Sequence, residues 1–188
     1  EDPRADRQPE FTQLDIEMSF ASQEEIMHVI EQLYTQVVKK FFSEKRILES
    51  PFPRISYKEE MGRWGSDKPD LRQDKQNPNE LAFAFIVDFP MFEWKEQEKR
   101  WDAVHHPFTR PQTEDIEAIK KDPGSVLAFQ YDLVLNGYEI AGGSLRTYSP
   151  DLLAGVFELM GNKKEDIQTK FGHLLEAFEY GVPPHGGI

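Results

Sequence analysis

The chain has 188 residues, of which 38% are hydrophobic and 12% aromatic, enough to form the core of one domain. Its 34 acidic and 22 basic residues give a net charge of −12, so any contact with nucleic acid is expected to be local. The absence of cysteine excludes disulfides, thiolate metal ligands and a cysteine nucleophile. Without an apolar run of the ~18–20 residues that a membrane span needs, we expect a cytoplasmic protein with no membrane partner.

The first predicted elements are a strand and a helix. Apolar and polar residues alternate over residues 12–20, which predicts a half-buried strand whose polar face carries Asp15 and Glu17. Ser22 and Glu25 have the spacing of a capping box. The apolar residues that follow recur at helical spacing and predict an amphipathic helix: Ile26, Val29, Ile30, Leu33, Val37 and Phe41.

Later segments alternate between strands and helices. Residues 73–80 are polar apart from one proline and predict a surface connection, whereas residues 81–87 predict a strand that is buried on both faces. A charged loop tip is expected at 95–100 and a short helix at 113–121. A hairpin at 129–145 turns at Asn136-Gly137, and two helices follow, one after Ser149 and one ending at Gly181. This order predicts an α+β fold with a largely antiparallel sheet flanked by helices.

The hairpin brings two carboxylates together. If Asn136-Gly137 is a two-residue turn, Val134 faces Glu139 and Asp132 faces Ala141, so Asp132 and Glu139 are diagonal neighbours on one face. Two carboxylates with open positions suit Mg²⁺ that carries a polyphosphate. The alternative is that both are ordinary solvent-facing acids.

Residues near the end of the hairpin and before it add further candidates. Gly142-Gly143 is typical of a bulge, and a one-residue bulge would bring Arg146 onto the face of Glu139. Arg146 could then bind a carboxylate or phosphate, or it could be a surface arginine. His105-His106 lacks the further ligands that zinc requires, which leaves a substrate-binding histidine or a pair with one core and one surface imidazole. Arg4 and Arg7 form a small cationic island that suits one or two phosphates, or an ordinary solvated loop.

Several motifs in order resemble those of the bacterial-type aspartyl-tRNA synthetases, a family of class II aminoacyl-tRNA synthetases. The resemblance runs nearly end to end and rests on residues 1–15 (EDPRADRQPEFTQLD), 89–94 (FPMFEW), 105–109 (HHPFT), 131–139 (YDLVLNGYE) and 183–187 (PPHGG). It implies a six-stranded antiparallel sheet on which ATP and L-aspartate form aspartyl-adenylate before transfer to the 3′ end of tRNA(Asp).

The resemblance also implies residue roles in ATP and metal binding. Glu1 corresponds to the glutamate that contacts the adenine amino group, Gln8 to an ATP contact, and Phe11 to the ring that stacks on adenine. Asp132 and Glu139 correspond to the acids that bind Mg²⁺ together with ATP, in agreement with the hairpin geometry.

Further implied roles concern aspartate and tRNA. Asp15 corresponds to the residue that holds the substrate ammonium, and Arg146 to the arginine that binds the aspartate side chain. His105 corresponds to a histidine that closes on the substrate, and Arg4 and Arg7 would face the acceptor end of the tRNA. Arg146, Glu139 and His105 are therefore the expected catalytic residues.

The family pattern implies that parts of the enzyme are absent. Its motif 2 arginine would precede Glu1 and its motif 3 would follow Ile188, so this chain alone is expected to be inactive and the intact enzyme to be a homodimer. Residues 1–72 and 81–188 correspond to two parts of the catalytic domain. The connector at 73–80 stands where the family usually carries an inserted domain, after the SDKPDLR signature at 66–72. Ala141 replaces a usual glycine.

Three functions follow from these observations. The first is an aspartate–tRNA ligase, with tRNA(Asn) as a possible second acceptor. The second is a relative that activates aspartate or asparagine for another acceptor. The third is an inactive synthetase-like paralogue that binds nucleotides or proteins.

Overall fold

The computed structural model describes residues 8–188. Its first elements are β1 (Glu17–Ser19), α1 (Gln23–Phe41), β2 (Arg46–Ile47), β3 (Arg54–Ser56) and α2 (Tyr57–Trp64). The capping box of α1 is confirmed: Ser22 Oγ accepts from the Glu25 amide, and the Glu25 carboxylate accepts from the Ser22 amide. Ser56 caps α2 in the same way through the Glu59 amide. Each cap satisfies amides that the first helical turn leaves without partners.

The middle of the chain forms short strands and one short helix. They are β4 (Glu80–Leu81), β5 (Phe83–Val87), β6 (Phe92–Lys95), β7 (Arg100–Ala103), α3 (Ile116–Lys121) and a 3-10 turn at Pro123–Ser125. Every residue of β5 is buried, so the predicted burial of this segment on both faces is confirmed. The charged segment at 95–100 is the tip of the hairpin between β6 and β7, as predicted.

The last elements are β8 (Gln130–Leu135), β9 (Tyr138–Leu145), α4 (Pro150–Leu159), α5 (Lys164–Glu179) and β10 (His185–Gly187). Ser149 caps α4, with Pro150 in its first turn. Gly181, with a φ of 99°, lies just beyond the end of α5. Helix α4 therefore begins, and helix α5 ends, where the sequence predicts.

Six strands form one sheet in the order β1-β10-β9-β8-β5-β3. All neighbouring pairs are antiparallel except β3 and β5, which are parallel. The predicted α+β fold with a largely antiparallel sheet is confirmed. No helix within residues 8–188 is long and apolar enough to cross a membrane.

The sheet has two unlike faces. The α1 face packs on helix α1 and carries the largest apolar cluster, which includes Phe83, Phe85, Tyr131, Leu133 and Leu145. The opposite face, which we call the carboxylate face, carries the side chains that alternate with these. Cross-strand register places there Glu17, Gly187, Ser144 and Gln130 in one row.

Three boundaries differ from the prediction. The strand predicted at 81–87 begins at Phe83, because Leu81 belongs to β4, which pairs with β2. The first strand covers three residues rather than residues 12–20, although Ile16 still pairs with Ile188. Phe20 has a φ of 57°, which turns the chain away from the sheet, and Phe20 is 78% exposed. Leu14, which precedes the strand, is 71% exposed. Helix α3 begins at 116 rather than 113, because Asp115 accepts hydrogen bonds from the amides of the first turn and so caps the helix.

The hairpin is confirmed at its turn and differs beyond it. Leu135 faces Tyr138 and Val134 faces Glu139, as predicted. The register then shifts by one residue at Ile140, so Asp132 faces Gly142 and not Ala141. The bulge therefore lies closer to the turn than the glycine pair suggested.

Candidate active site

Asp132 and Glu139 converge over a glycine, which the bulge at Ile140 brings opposite Asp132. A side-chain carbon built at Gly142 would lie 3.2 Å from Asp132 Oδ1 and 3.3 Å from Glu139 Oε1. The two carboxylate oxygens thus border the same space above Gly142. The predicted sharing of a face is confirmed, and Gly142 leaves the space between the two acids open.

Asp132 is buried, and its surroundings change its protonation. Gln130 Nε2 donates to Asp132 Oδ1 at 2.8 Å, and His105 Nε2 lies 3.8 Å from Asp132 Oδ2. Burial, followed by the negative charge of Glu139, raises the pKa of Asp132 to about 7. A cation between the two carboxylates would relieve this repulsion.

The donor set fits Mg²⁺ better than a metal held by protein alone. Asp132 and Glu139 offer hard carboxylate oxygens, which Mg²⁺ prefers. Within residues 8–188 no group of three histidine, aspartate or glutamate side chains is arranged to hold a metal. The remaining coordination positions would therefore fall to water and to substrate oxygens, as is usual for Mg²⁺ with a polyphosphate.

Arg146 lies on the carboxylate face, as the one-residue bulge predicts. Its guanidinium donates from Nε to Glu17 Oε1 at 3.3 Å, from Nη2 to Glu17 Oε2 at 3.2 Å, and from Nη1 to Ser144 Oγ at 2.7 Å. With Glu17, Phe108 and His185 it lines a cavity of about 340 Å³. The space beside the guanidinium suits a small ligand.

His105 lies between the carboxylate of Asp132 and the ring of Phe89. Its ring meets Phe89 edge to face, with 4.8 Å between ring centroids. Burial lowers the pKa of His105, which favours the neutral imidazole beside Asp132. The ring of His106 instead stacks on Phe108 at 5.0 Å, so the two histidines have different surroundings.

The N-terminal candidates are only partly described. Phe11 is 64% exposed and lines a cavity of about 280 Å³ together with Ala141 and Gly142. Gln8 and Asp15 are exposed, and Asp15 lies two residues before Glu17. Glu1, Arg4 and Arg7 lie outside the described residues.

Sequence reasoning missed several polar residues around these carboxylates. Glu17 was noted only as one of two acids on a strand face, and that alternation was the signal for its role. Gln130 is a single buried polar residue in an apolar strand, which is also a detectable pattern.

Glu60 was missed altogether. It is fully buried in α2, and neither of its carboxylate oxygens has a hydrogen-bond partner among the described residues. Burial, with contributions from Asp67 and Asp132, raises the pKa of Glu60 to about 8. Nothing in the local sequence distinguishes Glu60 from its exposed neighbour Glu59.

Comparison with known families agrees with this geometry. The family model described as tRNA synthetases class II (D, K and N) matches residues 1–188. The chain therefore belongs to the class II tRNA synthetases. Within that class, the match is to the group that the family description names D, K and N.

Curated relatives narrow the similarity further. The chain is 32% identical over 321 residues to an aspartate–tRNA(Asp/Asn) ligase of Dehalococcoides mccartyi, an alignment that covers 100% of this chain and 54% of that protein. It is 33% identical over 313 residues to an aspartate–tRNA ligase of Lysinibacillus sphaericus, with 100% and 53% covered. The chain thus spans about half the length of these relatives.

Solved structures show the same fold. An aspartyl-tRNA synthetase from Entamoeba histolytica matches with a TM-score of 0.62 and 22% identity, covering 98% of this chain and 40% of that one. An asparaginyl-tRNA synthetase from Pyrococcus horikoshii matches with a TM-score of 0.58 and 22% identity, covering 92% and 41%. At these identities the likeness establishes the fold alone.

Proposed function

We propose that this chain is the central part of the catalytic domain of an aspartate–tRNA ligase. The reaction is the ATP-dependent activation of L-aspartate to aspartyl-adenylate, followed by transfer to the 3′ end of tRNA(Asp). The observation that carries the proposal is the convergence of Asp132 and Glu139 over Gly142, on the same sheet face as Arg146. Curated relatives with aspartate–tRNA ligase names support it.

The chemistry matches the residues present. A carboxylate oxygen of aspartate attacks the α-phosphorus of ATP and pyrophosphate leaves, so the protein must position two anions and offset their charge. No nucleophilic side chain is needed, and the absence of cysteine is of no consequence. Mg²⁺ held by Asp132 and Glu139 would supply positive charge to the phosphate oxygens.

Substrate recognition is divided among the remaining candidates. Arg146 would pair with the side-chain carboxylate of aspartate, and Asp15 with the substrate ammonium. His105 would close over the substrate from its place beside Asp132.

ATP and tRNA would be bound through the N-terminal candidates. Gln8, Phe11 and Glu1 would contact ATP, with Phe11 against the adenine ring. Arg4 and Arg7 would face the tRNA end.

We also propose the domain layout that the resemblance implies. Residues 1–72 and 81–188 would be two parts of one catalytic domain, with 73–80 in place of an inserted domain. The alignments to relatives extend over 311–321 residues where this chain has 188, which supports additional segments within the relatives. A homodimer in the cytoplasm is the proposed state of the intact enzyme.

Amino-acid-dependent exchange of pyrophosphate into ATP tests the proposal. The intact protein that contains this chain is assayed with each standard amino acid, first without tRNA and then with it. Exchange with aspartate alone is expected. ATP binding without exchange for any amino acid would favour an inactive nucleotide-binding paralogue, and exchange without charging of either tRNA(Asp) or tRNA(Asn) would favour activation for another acceptor.

Substitution of Arg146 separates amino-acid recognition from ATP binding. Arg146→Leu removes the guanidinium that would pair with the aspartate side chain, so aspartate-dependent exchange should fall below detection. ATP binding, measured by equilibrium titration, should change less than about threefold, because the phosphate charge would be offset by the Mg²⁺ that Asp132 and Glu139 hold. Equal loss of both would indicate a structural role for Arg146.

A further inference from the structure

Glu17 and Arg146 form an ion pair that skips a strand. Glu17 lies on β1 and Arg146 just beyond β9, and β10 lies between these two strands. Both oxygens of Glu17 nevertheless accept from the guanidinium, at 3.3 and 3.2 Å. The pair is bidentate, a geometry that fixes the guanidinium plane more firmly than a single contact would.

The pair exists because the intervening residue is a glycine. Gly187 stands opposite Glu17 on one side and Ser144 on the other. A side-chain carbon at Gly187 would collide with the Glu17 carboxylate and with the carbonyl oxygen of Ile16. The glutamate therefore crosses the middle strand through space that any larger residue would fill.

Glu17 leaves part of the guanidinium available. An arginine side chain has five N–H donors. Among residues 8–188, Glu17 accepts from Nε and Nη2, and Ser144 accepts from Nη1. One donor on Nη1 and one on Nη2 thus have no partner among these residues and are available to the acceptor oxygens of a ligand. About a third of the Arg146 side chain is exposed, and Arg146 lines the neighbouring cavity.

We propose that Glu17 is a positioning residue, which holds Arg146 so that its two free donors are directed at an anionic side chain of the substrate. The inference rests on the proposed function, since it takes aspartate as the amino acid that Arg146 receives. Glu17 itself does not contact the reacting atoms. Glu17 would thereby favour aspartate over asparagine. Donors held in a fixed arrangement match the two acceptor oxygens of a carboxylate better than the single acceptor oxygen of a side-chain amide.

The direction in which KM for aspartate changes on removal of Glu17 distinguishes a positioning role from a purely electrostatic one. If Glu17 acted only through its negative charge, its removal would make Arg146 a stronger attractor and would lower KM for aspartate. If Glu17 acts by holding the guanidinium, its removal lets Arg146 rotate and KM for aspartate rises. A structural role in the fold would change KM for aspartate and for ATP together.

The experiment compares Glu17→Gln with the wild type in the intact protein by pyrophosphate exchange. We expect KM for aspartate to rise roughly 10- to 100-fold, the range for loss of a charge-assisted hydrogen bond. KM for ATP should change less than about twofold. The ratio of the inhibition constant of L-asparagine to KM for aspartate should fall, and the exposed control Glu44→Gln should match the wild type.

Each other outcome decides the matter. An unchanged or lowered KM for aspartate, with an active wild type, overturns the role of Glu17 and leaves the proposed function intact. A wild type without aspartate-dependent exchange overturns the proposed function, and the inference with it. Glu17→Met keeps the side-chain length without an acceptor, and it should raise KM for aspartate in the same way if Glu17→Gln does not fold. If neither variant folds, Glu17 is a stability element and the inference is wrong.

Discussion

Two neighbouring glycines on β9, Gly142 and Gly143, show how the two faces of the sheet differ. Gly143 points to the α1 face, where a side-chain carbon would collide with the Gly187 carbonyl and would lie 2.7 Å from both Ile188 and Tyr131. Gly142 points to the carboxylate face, where the same carbon would meet only the ends of two flexible carboxylates. One glycine is required by packing, whereas the other keeps open the space that a cation would occupy.

The same contrast extends along β8. Tyr131 and Leu133 on the α1 face are fully buried in an apolar cluster, which stabilises the fold. Asp132, between them, is buried beside another acid, and this raises its pKa to about 7. A carboxylate held this way costs stability, and such arrangements are typical of sites that bind charge. The α1 face of β8 is therefore apolar throughout. The carboxylate face combines an apolar cluster around Ile86 and Val134 with the charged residues of the candidate site.

The largest expected effect comes from changing the two glycines separately. Gly143→Ala should prevent folding or cost more than ~3 kcal/mol, because the added carbon meets a carbonyl oxygen in a neighbouring strand that cannot move alone. Gly142→Ala should cost less than ~1 kcal/mol in the same urea denaturation. It should instead weaken the use of Mg·ATP.

A reversal of these two results would contradict the division into faces. Gly62→Ala is the matched control, since a side-chain carbon there has nothing within 4 Å and the position lies in helix α2. Alanine favours a helix over glycine, so this variant should be at least as stable as the wild type.

Glu139 tests whether the carboxylate face binds a cation. Glu139 is exposed, so Glu139→Gln should leave unfolding within ~0.5 kcal/mol. KM for ATP should rise by more than the ~10- to 100-fold that loss of an outer metal-ligand partner costs, with KM for aspartate less affected. Exchange is measured over a range of Mg²⁺ concentrations, and unchanged ATP kinetics would refute the assignment of Glu139 to the metal.

Sequence patterns predicted the parts of the fold that depend on local chemistry. The capping box at Ser22, the turn at Asn136-Gly137 and the buried strand at 83–87 follow from residue types within a few positions. The shortened strand β1 did not follow, because the turn at Phe20 requires a left-handed backbone that phenylalanine rarely adopts. The later start of α3 has a different cause, because Asp115 caps the helix, which then begins three residues after the predicted start.

The site was predictable only in part for a different reason. Asp132, Glu139 and Arg146 belong to one hairpin. Spacing from the turn predicts a common face for the two acids, and a one-residue bulge is needed to add Arg146 to it. Glu17 reaches Arg146 across β10, which begins at His185, 168 residues after Glu17 in the chain. No local sequence pattern predicts that β10 pairs with β1. Glu60 is unremarkable in sequence, because its burial depends on tertiary packing.

The buried carboxyl of Glu60 predicts a pH-dependent stability. Its folded pKa of about 8 lies above the ordinary value of 4.5, so the folded state holds a proton that the unfolded state releases. The stabilising contribution is complete below pH 4.5 and is lost as the pH rises through 8. Glu60→Gln should therefore raise the free energy of unfolding by on the order of 4 kcal/mol at pH 8.5, with little gain at pH 4.

Urea denaturation of the intact protein at several pH values measures this difference. Some slope should persist in the variant, because Asp132 also has a raised pKa. Glu59→Gln is the matched control: Glu59 is exposed and pairs with Arg63 on the helix surface at 3.0 Å, so its loss should cost only ~0.3–0.5 kcal/mol at any pH. A Glu60→Gln variant with the same pH profile as the wild type would show that Glu60 is ionised in the folded protein.

The smallest effect is expected at a polar contact from the α1 face to β10. Tyr131 donates its buried hydroxyl to the Gly187 carbonyl at 3.0 Å, so Tyr131→Phe should cost ~0.5–1.5 kcal/mol of unfolding free energy. Tyr180, which is 86% exposed, gives a neutral control as Tyr180→Phe.

Gly187 also provides the gap through which Glu17 reaches Arg146, but strand pairing with β1 and β9 holds its main chain. KM for aspartate should consequently be unchanged in Tyr131→Phe. A rise comparable to that expected for Glu17→Gln would mean that the two faces are coupled through Gly187, and that the packing contact at Tyr131 is not independent of the binding residues.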